Sequence, residues 1–236
     1  MRNNGRLSAE ERRQAIADAV RDVFADKGFD GTTTRELAKA AGVSEALLYK
    51  HFPSKESLYA AMLDACVKGP TFAEFKRILT LDPSTSTLVF MVHFVVSRFV
   101  QGWAGDPNKK VMDRLSVRSL LDDGAFIRMT HKKFAPAWLA KFEACLKAAA
   151  KAGEMHEIPL RQDLRAWLVH HIAFALMLHL HPEQPAVDYK VSKQALVEQT
   201  VWFALLGVGL KEQAIKRYYN PKALSLLTPI AFRSGG

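Results

Sequence analysis

The segment VSEALLYKHFPSKESL, residues 43–58, places several polar side chains close together on either side of a proline. Tyr49, Lys50, His51 and Lys55 bring a hydroxyl, an imidazole and two ammonium groups into seven consecutive positions. These groups donate hydrogen bonds or carry positive charge, and that chemistry suits phosphate oxygens. The segment therefore indicates a surface that binds a phosphate backbone, provided that the neighbouring elements hold it in place.

Two short helices are predicted to position these side chains. Thr33 and Glu36 form a capping-box pattern, and Gly42 ends the helix after about two turns. Ser44 caps the next helix, which stops before Pro53 because proline disfavours helical backbone in the residue before it. This spacing predicts a helix-turn-helix, whose second helix reads the major groove of DNA.

The second helix has an inward and an outward face. At 100° per residue Leu48 and Phe52 share one face, which is expected to pack against Leu37 and the first helix. The opposite face is expected to meet base edges. It carries Ser44, Glu45, Leu47 and Lys50.

Phosphate contacts are expected on both sides of that face. Tyr49 and His51 lie at the end of the reading helix, and Lys55 opens the following one. The Thr33 hydroxyl and the unpaired N–H groups from Thr34 onward open the preceding helix, where the helix dipole favours an anion. Pro53 lies between His51 and Lys55 and separates the two helices. The end of one helix and the start of the next can therefore bind the same DNA backbone.

The segment FADKGFDGTTTRELAKAAGVSEALLYKHFPSKESLYAAML, residues 24–63, resembles the DNA-binding segment of the tetracycline-repressor (TetR) family of bacterial regulators. The resemblance implies a transcriptional regulator, and specifically a repressor that a small, largely apolar ligand releases from DNA. It also implies a homodimer bound to a near-palindromic operator in double-stranded DNA. Leu47 stands where the family often has threonine, so the preferred bases do not follow from the resemblance.

Net charge alone would point to the wrong part of the chain. The protein has a formal charge of +9, but residues 1–68 hold 11 Lys and Arg against 10 Asp and Glu, so most of the positive charge lies after residue 68.

No apolar run approaches the roughly 18 residues needed to span a bilayer, and MRNNGRLSAEERR lacks the apolar core of a secretory signal. The cytoplasm is therefore the expected location, and Cys66 and Cys145 are not expected to form a disulfide framework.

The hydrophobic periodicity predicts an all-α chain with two domains. Residues 1–69 are expected to form the helix-turn-helix domain and residues 70–236 a larger helical domain for ligand binding and dimerisation. Further helices are predicted at 8–27, 54–69, 84–104, 108–120, 125–151, 160–180 and 190–217, with a short one before Pro229.

Large aromatic residues accompany histidines in the second domain. Such stripes usually form core, but several helices that each bring aromatics and a polar group can also line a small-molecule site. The residues expected to line it are Phe90, His93, Phe94, Trp103, Phe134, Trp138, Trp167, His171 and Phe174.

Two helices of this domain carry apolar stripes that suggest a two-fold interface, although burial within one chain would give the same pattern. One stripe is Val197, Val201, Leu205 and Val208, and the other is Leu164, Leu168, Ile172, Ala175 and Leu178.

Other classes of function are weaker alternatives. A helical interaction module without DNA binding would leave the outward polar set without a role. An acid–base enzyme using His171 has no nucleophile motif behind it, so we expect neither an enzyme nor a cofactor. The histidines at 170, 171, 179 and 181 lack the spacing of a metal site.

Overall fold

A computed structural model describes residues 7–66, 70–101, 109–122 and 124–227. The described residues form helices and contain no β-strand beyond one bridge between Met155 and Leu210, which confirms the all-α prediction. The helices are α1 (Ala9–Ala19), α2 (Arg21–Lys27), α3 (Thr34–Ala40), α4 (Glu45–His51), α5 (Lys55–Cys66), α6 (Pro70–Thr80), α7 (Thr85–Val100), α8 (Lys109–Leu121), α9 (Ala125–Lys151), α10 (Gln162–Leu180), α11 (Lys193–Gly207), α12 (Glu212–Tyr218) and α13 (Pro221–Leu227).

The first of two compact units contains residues 1–69 together with residues 108–129. Within it α1 packs on α5, and α2 packs on α8. Arg114 of α8 pairs with Asp22 and Asp26 of α2, at 3.0 and 2.5 Å between nitrogen and oxygen. The core of this unit includes Ile16, Val20, Phe24, Leu37, Leu48, Phe52, Leu58, Met62, Leu115 and Phe126.

The second unit contains residues 70–107 and 130–236 and is built around α7. This helix is buried along most of its length, because α6, α10, α11 and α12 all pack against it. Its neighbours present small and branched side chains to it, including Ala166, Val169 and Ala173 of α10 and Val197, Val201 and Ala204 of α11.

Several helix boundaries differ from the sequence prediction. The helix expected at 8–27 is divided at Val20, and the one expected at 190–217 is divided at Gly209, whose φ of +94° is incompatible with a continuing helix. The helix α6 was not predicted. Its start at Pro70 is explained by the fixed φ of proline, which suits the first helical position. The expected domain boundary at residues 69 and 70 coincides with a change of unit, but residues 108–129 return to the first unit.

Candidate nucleic-acid interface

The two helices that flank the turn at Gly42, α3 and α4, are both capped at their starts. Thr33 and Glu36 form a capping box, with a bond of 3.3 Å from the Glu36 N–H to the Thr33 hydroxyl and one of 3.0 Å from the Thr33 N–H to the Glu36 carboxylate. Gly42 follows α3 with a φ of +65°, a conformation that favours glycine. Ser44 then caps α4 by accepting a bond of 3.1 Å from the Leu47 N–H.

The inward face of α4 joins the core as its periodicity predicts. Leu48 is 2% exposed and Phe52 is 1% exposed, and both belong to the same buried cluster as Leu37 and Ala38. This packing fixes the rotation of α4 about its own axis. The residues that project away from the core are therefore defined by the fold.

The residues predicted to contact DNA lie around that outward face. Thr33, Ser44, Glu45, Tyr49 and Lys50 are exposed, and Thr34, Leu47, His51 and Lys55 are half-buried. Tyr49 is 47% exposed, a large fraction for an aromatic side chain that ends a short amphipathic helix. All nine belong to the first unit, on α4 and its cap or at the starts of α3 and α5.

Two of these residues already interact with each other. The Thr34 hydroxyl donates a hydrogen bond of 3.3 Å to the Glu45 carboxylate, which links the first turn of α3 to the first turn of α4. Nearby, Lys27 donates a hydrogen bond to Glu36, and this bond together with the Thr33 contacts holds the pKa of Glu36 at about 2. Glu36, which completes the capping box of α3, therefore stays charged at neutral pH.

Lys55 lies against an aromatic ring. Its ammonium nitrogen is 4.5 Å from the centroid of Phe29. The Phe29 ring packs edge-on against Tyr59, at 5.1 Å between centroids, and stacks on Phe24 at 6.2 Å. The cation is thus held beside the start of α5, close to the end of α4 in sequence.

Sequence reasoning missed a contact at the C-terminal end of α4. The Arg13 side chain, on α1, donates a hydrogen bond to the carbonyl oxygen of His51, and its guanidinium carbon lies 4.2 Å from the centroid of the Phe52 ring. Because 38 positions separate Arg13 from His51, no local pattern could have revealed the pairing.

The residues predicted to line a ligand site fall into three groups within the second unit. His93 is 2% exposed, with its Nε2 atom 3.3 Å from the Ser97 hydroxyl and its ring 5.9 Å from that of Tyr219. Burial lowers the pKa of His93 to about 4. Phe90 lies below the guanidinium of Arg77, at 5.4 Å. The predicted residue Trp103 lies outside the described residues.

Phe94, Phe134 and Trp138 form a second group with two residues of α6. Phe75 stacks on Trp138 at 5.3 Å and meets Phe134 edge-on at 5.5 Å, while Phe72 lies 4.8 Å from Phe134. Phe94 completes the group at 6.1 Å from Trp138. We call these five side chains the aromatic cluster.

Trp167, His171 and Phe174 belong to a third group. His171 stacks on Trp167 at 5.7 Å, Phe174 meets Phe99 edge-on at 5.7 Å, and both His131 and His170 join them. Burial, reinforced by the neighbouring His131 and His171, lowers the pKa of His170 to about 4. Among the described residues no group of three or more His, Cys, Asp or Glu side chains is arranged to hold a metal ion.

The two stripes predicted for a dimer interface have different outcomes. Val197, Val201, Leu205 and Val208 are at most 2% exposed within a single chain, so their prediction as an interface was wrong. They face α7, which buries them. On α10, by contrast, Leu164, Leu168 and Leu178 are 43%, 46% and 39% exposed.

None of the helices in the described part of the chain is long and apolar enough to cross a membrane.

Residues 16–62 match a protein-family model, that of the tetR family of bacterial regulatory proteins. The chain is 44% identical over 62 residues to the transcriptional activator FasR of Mycolicibacterium smegmatis, covering 26% of this chain and 28% of FasR. It is 41% identical over 51 residues to IcaR, a negative transcriptional regulator of the biofilm operon in Staphylococcus aureus, covering 22% of this chain and 27% of IcaR. These matches therefore span only about a quarter of each curated relative.

The fold extends further than the sequence similarity. The crystal structure of AibR in complex with isovaleryl coenzyme A and operator DNA superposes with a TM-score of 0.59 at 21% identity, over 82% of this chain and 97% of AibR. Residues 16–62 thus match the tetR family of bacterial regulatory proteins, and the chain shares its fold with AibR.

Proposed function

We propose that this protein is a sequence-specific DNA-binding transcriptional regulator that acts as a homodimer on a near-palindromic operator. The observation that carries the proposal is the outward face of α4, which is polar, exposed and fixed in rotation by the burial of Leu48 and Phe52. The capped starts of α3 and α5 flank it. A helix presented in this way fits the major groove of B-form DNA.

The outward residues divide into two roles. Ser44, Glu45, Leu47 and Lys50 are placed to meet base edges and so to set the sequence preference. Thr33, Thr34, Tyr49, His51 and Lys55 are placed to bind phosphates and to fix the register on the duplex. Glu45 is a carboxylate on the reading face, so it accepts from cytosine N4 or disfavours loose binding to phosphates.

Selection from a random duplex library, followed by fluorescence anisotropy at several salt concentrations, tests the proposal. A regulator enriches a near-palindromic sequence and binds it at least about a thousandfold more tightly than random duplex. A Lys50→Ala variant should lose part of that preference while keeping non-specific binding, and it leaves the Ser44 cap of α4 in place. Recovery of no preferred sequence by the wild type would contradict the proposal.

The exposed stripe of α10 supports the homodimer. Leu164, Leu168, Ala175 and Leu178 are exposed members of this stripe and follow one another at spacings of four, seven and three residues, which fits a helix-packing seam. On α11, Phe203 is 66% exposed and Leu206 is 49% exposed. A second copy of the chain is the occupant we propose, because two recognition helices roughly 34–36 Å apart would then reach successive major grooves.

We also propose that a small, largely apolar effector binds this protein and releases it from DNA. Support comes from the half-buried aromatic cluster and from the group around Trp167, which together contain most of the residues predicted to line a ligand site. AibR, which shares the fold, was crystallised with isovaleryl coenzyme A and operator DNA. A ligand that favours the state with low DNA affinity by about 3 kcal/mol would weaken operator binding more than a hundredfold.

Tryptophan fluorescence gives a direct test of the effector site. Isovaleryl coenzyme A is the first probe, because its branched acyl chain is small and apolar although its coenzyme part is charged. Binding at the proposed site should change the emission of the wild type, and a Trp138→Phe or Trp167→Phe variant should lose part of that change. Because coupling is reciprocal, the probe should bind less tightly when operator DNA is present. Equal probe affinities with and without operator would contradict the coupling.

The direction of regulation is tested separately. FasR is an activator and IcaR a negative regulator, so the relatives do not agree. We propose repression, which predicts that deleting the gene raises transcription from the selected operator and that restoring it lowers transcription again.

A further inference from the structure

The C-terminal end of α4 needs hydrogen-bond donors from elsewhere in the protein. The last carbonyl groups of any α-helix have no partner within the helix. The Phe52 N–H donates to the Leu48 carbonyl at 2.9 Å, but the next residue, Pro53, has no N–H for the carbonyl of Tyr49. Phe52 has already left the helix, with φ of −136° and ψ of 103°. A helix of only seven residues that ends this abruptly depends on tertiary contacts to stay in place.

Arg13 supplies such a contact from α1. Its Nη1 group donates a hydrogen bond to the His51 carbonyl, and the same guanidinium lies over the Phe52 ring at 4.2 Å. One planar group therefore holds two successive residues, the last of the helix and the first beyond it. A charged donor makes a stronger hydrogen bond than a neutral one, and the buried ring keeps the guanidinium in position.

We propose that Arg13 is a positioning residue for DNA binding, which fixes the C-terminal end of α4 against α1. It acts through the backbone of His51 and does not contact DNA. Tyr49 and His51 precede this point and Lys55 follows it, so the contact keeps the phosphate-binding side chains in register with one another. The inference rests on the proposed DNA-binding function. Lysine would not replace Arg13 fully, because an ammonium lacks the planar face.

Hydrogen exchange in the DNA-free protein tests the structural half of this inference. Arg13→Gln should raise the exchange rate of the amides at residues 48–52 by about tenfold, the effect of losing one charged hydrogen bond. Arg12→Gln is the matched control, since it removes the same charge from the neighbouring position on α1. Equal rates in the wild type and the Arg13→Gln variant would overturn the inference.

Anisotropy titrations with the selected duplex test the functional half. Arg13→Gln should weaken binding by about tenfold at every salt concentration and leave the slope of log affinity against log salt unchanged. Arg13→Lys should restore part of the affinity. A slope reduced by about 1 would instead make Arg13 a phosphate ligand and overturn its positioning role. If the wild type bound no duplex at all, the proposed function would fail, whereas the exchange result would still stand.

Discussion

At the scale of single residues, Lys55, a proposed phosphate ligand, lies against the ring of Phe29. A cation over an aromatic ring gains about 0.5–1 kcal/mol at an exposed site. Contact with a DNA phosphate also releases a condensed counterion, which adds a larger, salt-dependent gain. The ammonium that lies 4.5 Å from the Phe29 centroid can therefore transfer to a phosphate when a duplex binds.

This balance predicts the effect of Lys55→Ala. The substitution should weaken binding to all duplexes alike and lower the log–log salt slope by about 1, because one phosphate contact is lost. Lys147→Ala, which removes an exposed lysine paired with Glu143 on α9, should leave the slope unchanged. A Lys55→Ala variant with altered base preference and an unchanged slope would show that Lys55 reads sequence.

Buried His93 predicts a loss of stability in acid. Its folded-state pKa of about 4 lies below the ordinary 6.5, so between these values the unfolded chain binds more protons. Stability is therefore complete above pH 6.5 and falls as the pH drops toward 4, by roughly 2 kcal/mol at pH 5 for this residue alone. His170 changes in the same direction.

Urea unfolding at pH 8 and pH 5 measures this effect. His93→Phe should reduce the difference between the two pH values without abolishing it, since His170 remains. His179→Phe, which replaces an exposed histidine on α10, is the control and should leave the difference intact. An undiminished difference in His93→Phe would show that His93 is not the group responsible.

At the scale of elements, sequence patterns predicted what is local and missed what is tertiary. The caps at Thr33 and Ser44 and the bounds of α9 followed from residues a few positions apart. The apolar side of α11 was also recognised, but periodicity cannot distinguish burial against α7 from burial against a second chain. The Arg13 contact depends on packing between distant segments, which no local spacing encodes.

Gly42 and Gly207 both face open space, but replacing each by alanine should change the free energy of unfolding in opposite directions. No heavy atom lies within 4 Å of a Cβ placed at Gly42 or Gly207, so steric contact does not distinguish them. Gly42 has a φ of +65°, and alanine there should cost about 1 kcal/mol or more of unfolding free energy. Gly207 ends α11 with helical backbone, and alanine there should stabilise by about 0.5–1 kcal/mol. Thermal unfolding should show midpoints that move in opposite directions, and a shared direction would contradict the backbone argument.

At the scale of the whole molecule, the order of segments along the chain differs from their grouping into compact units. Residues 108–129 lie between two segments of the second unit in sequence, yet they pack with residues 1–69. The α8 helix therefore belongs to the unit that carries the proposed DNA-binding surface, through its packing on α2 and the ion pairs of Arg114. A prediction based on a single boundary could not include such a return, because it assigns each domain one continuous segment.

A variant that tests dimerisation should change α10 and not α11, because α11 is buried within one chain. Val201 is fully buried within one chain, so Val201→Asp should unfold the second unit and would say nothing about dimerisation. Leu168 is 46% exposed at the centre of the α10 stripe, and Leu168→Glu should leave the helix content unchanged. Two carboxylates brought into a two-fold apolar interface would lose hydration without gaining partners, so this variant should be a monomer.

Sedimentation velocity at micromolar concentration separates these outcomes. The wild type should sediment as a dimer, Leu168→Glu as a folded monomer, and Leu121→Glu as a dimer, because Leu121 is 76% exposed on α8 in the other unit. The monomer should also lose most of its affinity for a two-half-site operator while binding a single half-site as the wild type does, since each recognition helix is unchanged and only their pairing is lost. A wild-type monomer, or a Leu168→Glu dimer, would remove α10 from the interface and require another surface to pair the recognition helices.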